Sequence, residues 1–547
     1  VSGAAHDDIV IPWLVDESAR AAHVRARRAG VTHRRALTPR APAAGQPVAI
    51  EVTAGPACPD SAAWVEVGGA RRPLELASAD WDTLIGGYVR RYRGELPGRP
   101  AGTVVSYRLG VGEVEADGGE RHGYCVGAGD APAWARQAIV YQVFVDRFAA
   151  GPSVDWPAKG AGPADRYGGT LLGLLGRLDH IVDLGANTVW LNPIHPSCSY
   201  HGYDVTDYLA VEPGLGNLAD FDRLVAAAHD SGLRVVLDFV SSHVSSFHPT
   251  FAAARSDRSS PYLGWYRFSR WPDAYDTFYG VETMPSLNHA NVEVRRHLVE
   301  AATFWLERGV DGFRLDYALG SSPEFWAEFR AAVKAAYPDC WLFGEVVETP
   351  ETQLEYEGLL DGCLDFALVE ALRETFGYRT RTPQELAAFL EAQECFFPRF
   401  WSRPSFLDNH DMNRFSWIAG GDRRRLHLAA LCQFTLPGPP IVYYGTEVGL
   451  SQQHAIKDES VWGGDRHARL PMLWGTDQDA VTLDVFRQLA RLRAARPEFC
   501  DGSTGVVRAN ERTLEYTRGP LLVSLDVERL SGSIVDGPDE LLRLPTA

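Results

Sequence analysis

The stretch "RGVDGFRLDYALG", residues 308 to 320, reads as the start of a buried strand, yet it carries Arg314 and Asp316 two residues apart. A strand alternates faces with a period of two, so both charges point to the same side. Burying an unpaired charge is costly, so this pairing needs a reason. Either it is a structural ion pair at a strand end, or a catalytic carboxylate is held ionised by the guanidinium beside it.

Working outward from this strand, the texture from about residue 133 is strands alternating with helices of 3.6-residue period, the pattern of a parallel α/β sheet. The strand candidates are "AIVYQVFVDRF", "TVWLNP", "RVVLDFV", "GFRLD", "WLFGEV", "CLDFAL", "RPSFLDNHD" and "PPIVYYGTE". Helical patterns separate them, among them "LLGLLGRLDHIVDLG", "LADFDRLVAAAHDSG", "VRRHLVEAATFWLERG" and "EFWAEFRAAVKAAY". Eight strands predict a (β/α)8 TIM barrel over 133–499. Between about residues 30 and 128, short β-type runs such as "PVAIEVTAG" and "TVVSYRLGVG" are separated by Gly, Pro and Asp turns, which predicts a β-sandwich over 1–132. Residues 500–547 are expected to form a short C-terminal β domain.

Composition narrows the partners. The 547 residues are 45% hydrophobic and 23% charged, ordinary for a globular protein, and the length predicts two or three domains. A net charge of -18 without a basic run argues against nucleic acid and against an anionic membrane surface. The eight cysteines contain no CxxC pair, so neither a zinc site nor a redox motif is expected, and they read as thiols of a reducing compartment. No apolar run reaches the roughly 20 residues of a membrane span. The opening "VSGAAHDDIVIPWLVDESAR" lacks signal-peptide regions, which predicts a cytoplasmic bacterial protein while leaving secretion of a processed chain open.

In such a barrel the chemistry sits at the C-terminal ends of the strands. There the sequence collects Asn192, Asp238 with His243 beyond it, Arg314 and Asp316, Glu345, and the run Asp408, Asn409, His410, Asp411. One charged strand end is more often a cap or an ion pair; several converging on one rim point to a site. With no nucleophilic Ser or Cys motif, metal-assisted hydrolysis and glycoside hydrolysis both remain. The histidines stand singly beside Asp rather than at metal-ligand spacing, whereas glycoside hydrolysis needs two carboxyls flanking the bond, with a third to steady the transition state.

The segments "DFVSSH" (238–243), "GFRLD" (312–316), "FGEV" (343–346) and "FLDNHD" (406–411), supported by "GANTVWLNP", "HGYDVTDY", "MPSLN" and "GPPIVYYGTE", resemble the α-amylase superfamily, glycoside hydrolase family 13, in the family's order. The resemblance covers about residues 138 to 447. It implies that Asp316 is the nucleophile kept ionised by Arg314, that Glu345 is the acid/base with a pKa raised by neighbouring carboxylates, and that Asp411 stabilises the distorted transition state. It further implies that His243 and His410 hydrogen-bond the same sugar ring, that Tyr203 stacks on it, and that Asp204 with Arg414 closes the non-reducing end. For Tyr203 and Arg414 alone, a packed ring and a surface ion pair would be the plainer reading.

"MPSLN" and the leading β-sandwich are most similar to the cyclomaltodextrinase, neopullulanase and maltogenic amylase group. That likeness implies α-glucan oligosaccharide substrates and a homodimer. "GWYRFSRWPDAYDTFYG" fits the family's small domain B, about 244–290, either as sugar-stacking surface or as an aromatic core for the insert itself. The sequence departs from the family at Ser242, where a calcium-ligating Asn is common, at Thr170, where a carboxylate is frequent, and in the loop "AAGPSVDWP". No cofactor is therefore expected, and calcium is doubtful. "GEVVETPE" also lacks the Trp that often follows the acid/base, which leaves subsite architecture open. A transferase or isomerase using the same intermediate, or a non-catalytic scaffold, are the alternatives; the presence of all three carboxylates speaks against the scaffold.

Overall fold

Short apolar strands buried on both faces build the centre of the molecule. Val140–Val143, Thr188–Leu191, Gly312–Asp316 and Trp341–Gly344 have no exposed residue, as a parallel sheet covered by helices requires. In the computed structural model the described residues are 17–58, 61–151, 156–157, 165–457 and 464–544. The parallel sheet runs in the order Gly362–Cys363, Trp341–Gly344, Gly312–Asp316, Arg234–Val240, Thr188–Leu191, Val140–Val143, Ile441–Tyr443. Parallel bridges Gly362 to Ser402 and Ser405 to Pro440 put residues 402–405 in the remaining place and close the ring. The barrel is thus of TIM type, with eight strand positions.

Two expected elements differ. Of "CLDFAL", only Gly362–Cys363 is strand: the Asp365 carboxylate accepts from Leu368 N at 3.0 Å and caps a helix, Phe366–Leu372. "RPSFLDNHD" pairs only through single bridges. The outer helices follow the expected periods. Leu218–Asp230 opens with a capping box from Asn217 to Asp220, and Pro323–Ala336 is capped by Ser322 with Pro at its first turn. "LLGLLGRLDHIVDLG" is two helices, Leu171–Leu175 and Leu178–Leu184, parted at Gly176 and Arg177.

The insert after the third barrel strand holds a helix, Pro249–Ser256, and a small hairpin, Phe268–Arg270 with Ala274–Tyr275. Phe251 packs against Tyr266 and Tyr275 with ring centroids 4.8 Å away and stacks on Phe268. Most of its aromatic residues therefore form the insert's own core, and Phe278 and Tyr279 are left to face the barrel.

Upstream lies an antiparallel nine-stranded arrangement in which the long strand Ala70–Asp82 pairs with Ala63–Val67 at one end and Gly87–Leu96 along the rest. Val48, Ile50 and Val52 from one side and Val65, Val105 and Leu109 from the other share one core, so the layers pack as a sandwich. A helix, Glu17–Ala29, precedes it, which the sequence reading did not anticipate; residues 1–16 lie outside the described residues. The sandwich is fastened to the barrel by Arg121, which grips Glu324 with two bonds of 2.6 and 2.8 Å, and by Arg34 and Arg35, which reach Thr352, Glu355 and Glu357. A five-stranded antiparallel sheet, residues 504–543, follows the barrel, and Tyr516 in it meets Thr435 of a barrel helix. Among the described residues no helix is long and apolar enough to cross a membrane.

Candidate active site

The register of the barrel brings the charges together. Asp238 pairs in register with Arg314, and Leu315 with Gly344, so the ends of the third, fourth and fifth strands meet at one level. Arg314 is fully buried; its Nη1 donates to Asp238 at 2.7 Å and to Asp316 at 2.6 Å, while Nη2 lies 2.6 Å from Glu345. Arg314 and Asp316 are therefore not an isolated ion pair: one guanidinium serves three carboxylates.

One cation cannot offset the desolvation of three anions, and the titration follows from that. Burial pushes Asp316 up to about 7 against the pull of Arg314, with Asp238 adding to the rise. Burial likewise raises Asp238 to about 6 and lifts Glu345, where Asp316 and Asp411 contribute further. Two expectations are corrected here. Arg314 alone does not keep Asp316 ionised through neutral pH, and the rise at Glu345 comes first from burial, with its neighbours second. The three acids titrate as a coupled group, each above the ordinary carboxylate range.

Across the opening, Asp411 is 47% exposed at its side chain and is held by His410 Nε2 at 2.9 Å and Arg469 Nη2 at 2.7 Å. Burial by the surrounding walls would raise its pKa, but His410 and Arg469 outweigh that and hold it below the ordinary carboxylate range. Tyr203 links the two halves: its hydroxyl donates to Asp238 at 3.0 Å, lies 2.5 Å from His410 Nε2 and accepts from Asn192 at 3.0 Å. Its ring stacks on His410, with centroids 5.4 Å apart. His243 is buried, with Nδ1 2.9 Å from Ser242 Oγ and Nε2 without a hydrogen-bond partner among the described residues. Burial drops its pKa to about 4, so the ring is neutral with one nitrogen free for a ligand hydroxyl.

Asp204 and Arg414 do not come together. Asp204 accepts from Ser199, while Arg414 is fully buried, donates to the carbonyls of Ala468 and Tyr444 at 2.8 and 2.6 Å, and lies over the Tyr443 ring. The reason is local: Arg414 caps the short helix Phe415–Ile418, which turns its side chain away from Asp411 and into the interior. The arginine that meets Asp411 is Arg469, which also pairs with Asp465 at 2.7 Å and reaches the Tyr200 hydroxyl at 2.9 Å. Sequence reasoning missed it because it lies far downstream of Asp411, in a segment with no strand or helix period. Tyr317 was missed as well. Its left-handed backbone (φ 39°) directs its N–H to Glu345 Oε2 at 3.1 Å, and its ring meets Phe278 and Tyr279 at 5.0 and 5.1 Å.

Oxygen ligands for a hard cation are committed elsewhere. Ser242 Oγ is used by His243, Thr170 Oγ1 caps a helix by accepting from Gly173 N at 3.0 Å, and Asp146 accepts from Tyr167 N and Gly168 N beside Arg147. Residues 152–155 of "AAGPSVDWP" lie outside the described residues, and among the described ones no three His, Cys, Asp or Glu gather as a ligand set. These residues do not fit the calcium site common in the family. Overnight treatment with EDTA is therefore expected to leave activity unchanged; abolition by EDTA and recovery with added calcium would refute this.

Residues 142–484 match the family model described as "Alpha amylase, catalytic domain". The chain belongs to the alpha-amylase family. It is 39% identical over 381 residues to Alpha-amylase 2 of Dictyoglomus thermophilum, a match covering 68% of this chain and 66% of that protein. Among solved structures, the cyclic alpha-maltosyl-(1→6)-maltose hydrolase of Arthrobacter globiformis aligns with a TM-score of 0.67 at 30% identity, over 74% of this chain and 92% of its own. A cyclomaltodextrinase aligns with the same TM-score at 27% identity, over 92% of this chain and 90% of its own. The chain spans about two thirds of the length of the curated relatives it matches. The likeness to the cyclomaltodextrinase extends beyond the barrel, since the matched share exceeds what the barrel alone could supply.

Proposed function

We propose that the protein is a retaining α-glucoside hydrolase acting on maltooligosaccharides and on cyclic or branched α-glucans through a covalent glycosyl-enzyme. The observation that carries this reading is the bridging of Asp316 and Glu345 by one guanidinium. It favours the short carboxyl separation of retaining enzymes, about 5–5.5 Å, over the about 6.5–9.5 Å that an inverting enzyme needs to admit a water. Asp316 attacks the anomeric carbon as Glu345 passes its proton to the departing glycosidic oxygen. Glu345, now a carboxylate, takes a proton from water, and the water oxygen displaces Asp316. Asp411, kept ionised, binds ring hydroxyls with Arg469 and His410 behind it, His243 offers its open Nε2 to the same sugar, and Tyr203 covers its face. Tyr317 N–H steadies the Glu345 carboxylate.

The preference for short or cyclic glucans over starch is part of the same reading, with the amino-terminal sandwich (1–132) as a carbohydrate-module-like unit used for assembly in a symmetric homodimer. It is supported by likeness to a cyclomaltodextrinase along most of the chain. The insert (244–290) and the C-terminal sheet (500–547) complete the proposed domain division, and a cytoplasmic place suits the scattered thiols. Neither nucleic acid nor membrane enters as a partner. Transfer to a sugar acceptor would use the same intermediate and is the second reading, favoured by the aromatic wall of Phe278, Tyr279 and Tyr317 beside Glu345.

One product profile tests these statements. Maltotriose, cyclomaltodextrin, pullulan, panose and starch are digested, with NMR of the newly released anomer and sedimentation of the enzyme at micromolar concentration. The expected result is α-anomeric glucose and maltose, released faster from the short and cyclic substrates by a dimer. A β-anomeric product would overturn the retaining mechanism, lengthened oligosaccharides would favour transfer, and a monomer that prefers starch would reject the role given to the sandwich.

A further inference from the structure

Asp411 stands on backbone that has no ladder to hold it. Residues 406–414 belong to neither strand nor helix, yet every one of them is buried except Asp411. Buried carbonyls on such a segment need donors from elsewhere, because an unpaired one costs about as much as a lost hydrogen bond. Two guanidiniums supply them. Arg469 Nε donates to the His410 carbonyl at 2.8 Å. Arg373 Nη1 donates to the carbonyl of Leu407 at 2.8 Å and to that of Asn413 at 3.0 Å, so the entry and the exit of the loop are pinned on a single nitrogen. Asp411 lies between the two pins, with its own N–H given to Asn409 Oδ1 at 2.9 Å.

The element that carries Arg373 is shaped to the same loop. The helix Phe366–Leu372 widens into a π turn, Arg373–Tyr378, a departure from α geometry that recurs at functional sites. Gly377 of that turn lies against the helix Phe415–Ile418, which follows the loop: a Cβ there would come 2.5 Å from Ile418 Cδ1. One turn thus fixes the loop's two ends and the helix it runs into. Arg373 is 2% exposed, and taking a guanidinium out of water to satisfy two neutral carbonyls is a costly way to fasten a chain. A neutral donor would serve packing alone; the planar fork also fixes direction.

We propose that Arg373 is a positioning residue for the reaction: by closing the loop 407–413 it sets where the Asp411 carboxylate meets the sugar hydroxyls in the transition state. It acts through the loop and not on the sugar. The proposal rests on the role given to Asp411 above.

The test is a double-mutant cycle on the full chain between Arg373→Met and Asp411→Asn, read as kcat and KM on an activated aryl α-maltoside. Arg373→Met alone should lower kcat about 100-fold with KM nearly unchanged, the scale expected when a reacting group is displaced by about 1 Å. Asp411→Asn alone should cost about 10³-fold. In that background Arg373→Met should cost less than about threefold, because the carboxylate it positions is gone. Partial unfolding would lower kcat by one factor in both backgrounds, so equal factors would overturn the proposal. Should Arg373→Met fail to fold, Arg373→Ala supplemented with guanidinium ion gives the second reading. The ion should restore kcat about tenfold or more where Asp411 is intact and not in Asp411→Asn; restoration in both, or in neither, would overturn the proposal. A loss of less than about tenfold in Asp411→Asn itself would refute the role of Asp411 and the proposal with it, whereas a large loss with equal factors strikes Arg373 alone.

Discussion

Asp316→Asn is expected to lower kcat by about 10⁴-fold or more and to leave the fold intact, because it removes the attacking oxygen without changing the side chain's size. Its effect on stability separates a catalytic carboxylate from a structural ion pair. In the folded protein Asp316 titrates at about 7, above its unfolded value of about 4. Below pH 4 both states hold the proton; as pH rises through 7, the native state loses stability because it must ionise a buried group. Asn mimics the protonated form and escapes that loss. At pH 8 the variant should therefore melt at or above the wild-type temperature, by an amount on the order of 1–3 kcal/mol, and at pH 5, where the native state still holds the proton and the unfolded state has largely lost it, the gap should shrink to about a third of that. Thermal melts at both pH values check this. A variant melting well below wild type at pH 8 would mean that Arg314 needs the charge for folding.

Such a site is stability given up for chemistry, and that explains what could be read from the sequence. Strands buried on both faces leave an unmistakable pattern, and a charge at the end of one stands out. Hence Asp238, Arg314, Asp316, Glu345 and Asp411 were legible, and the structure gathers them around one guanidinium and one rim. What failed had a different physical basis. Arg414 was placed by the family resemblance alone, but a place in a motif does not fix a side chain's direction once a helix begins at the next residue. Arg469 acts from just past a distant short turn, Gly464–Ala468, where no period marks it. "CLDFAL" has strand composition, and one carboxylate cap, Asp365, turned it into a helix. The left-handed backbone of Tyr317 is not encoded by a glycine, so nothing in the residue type announced it.

Glu345→Gln should separate the roles of the two bridged carboxyls, since an acid is needed only when the leaving oxygen is basic. With maltotriose, whose leaving group is a sugar hydroxyl, kcat/KM is expected to fall by about 10³-fold, within the range usual for loss of a general acid. With an activated aryl α-maltoside that departs unassisted, the first step should survive within about tenfold, and the glycosyl-enzyme should accumulate because no base remains to activate water. A burst of the aryl leaving group, followed by slow turnover that azide accelerates, would report that state; azide needs no base. The pH profile gives an independent check. Burial raises the Glu345 pKa, so the wild-type alkaline limb should lie above the ordinary glutamate range and mark loss of the acid's proton. In Glu345→Gln that limb should disappear while the acidic limb, set by ionisation of Asp316, persists. Equal losses on both substrates with an unchanged alkaline limb would take the acid's role away from Glu345 and return its bond to Arg314 to a purely structural one.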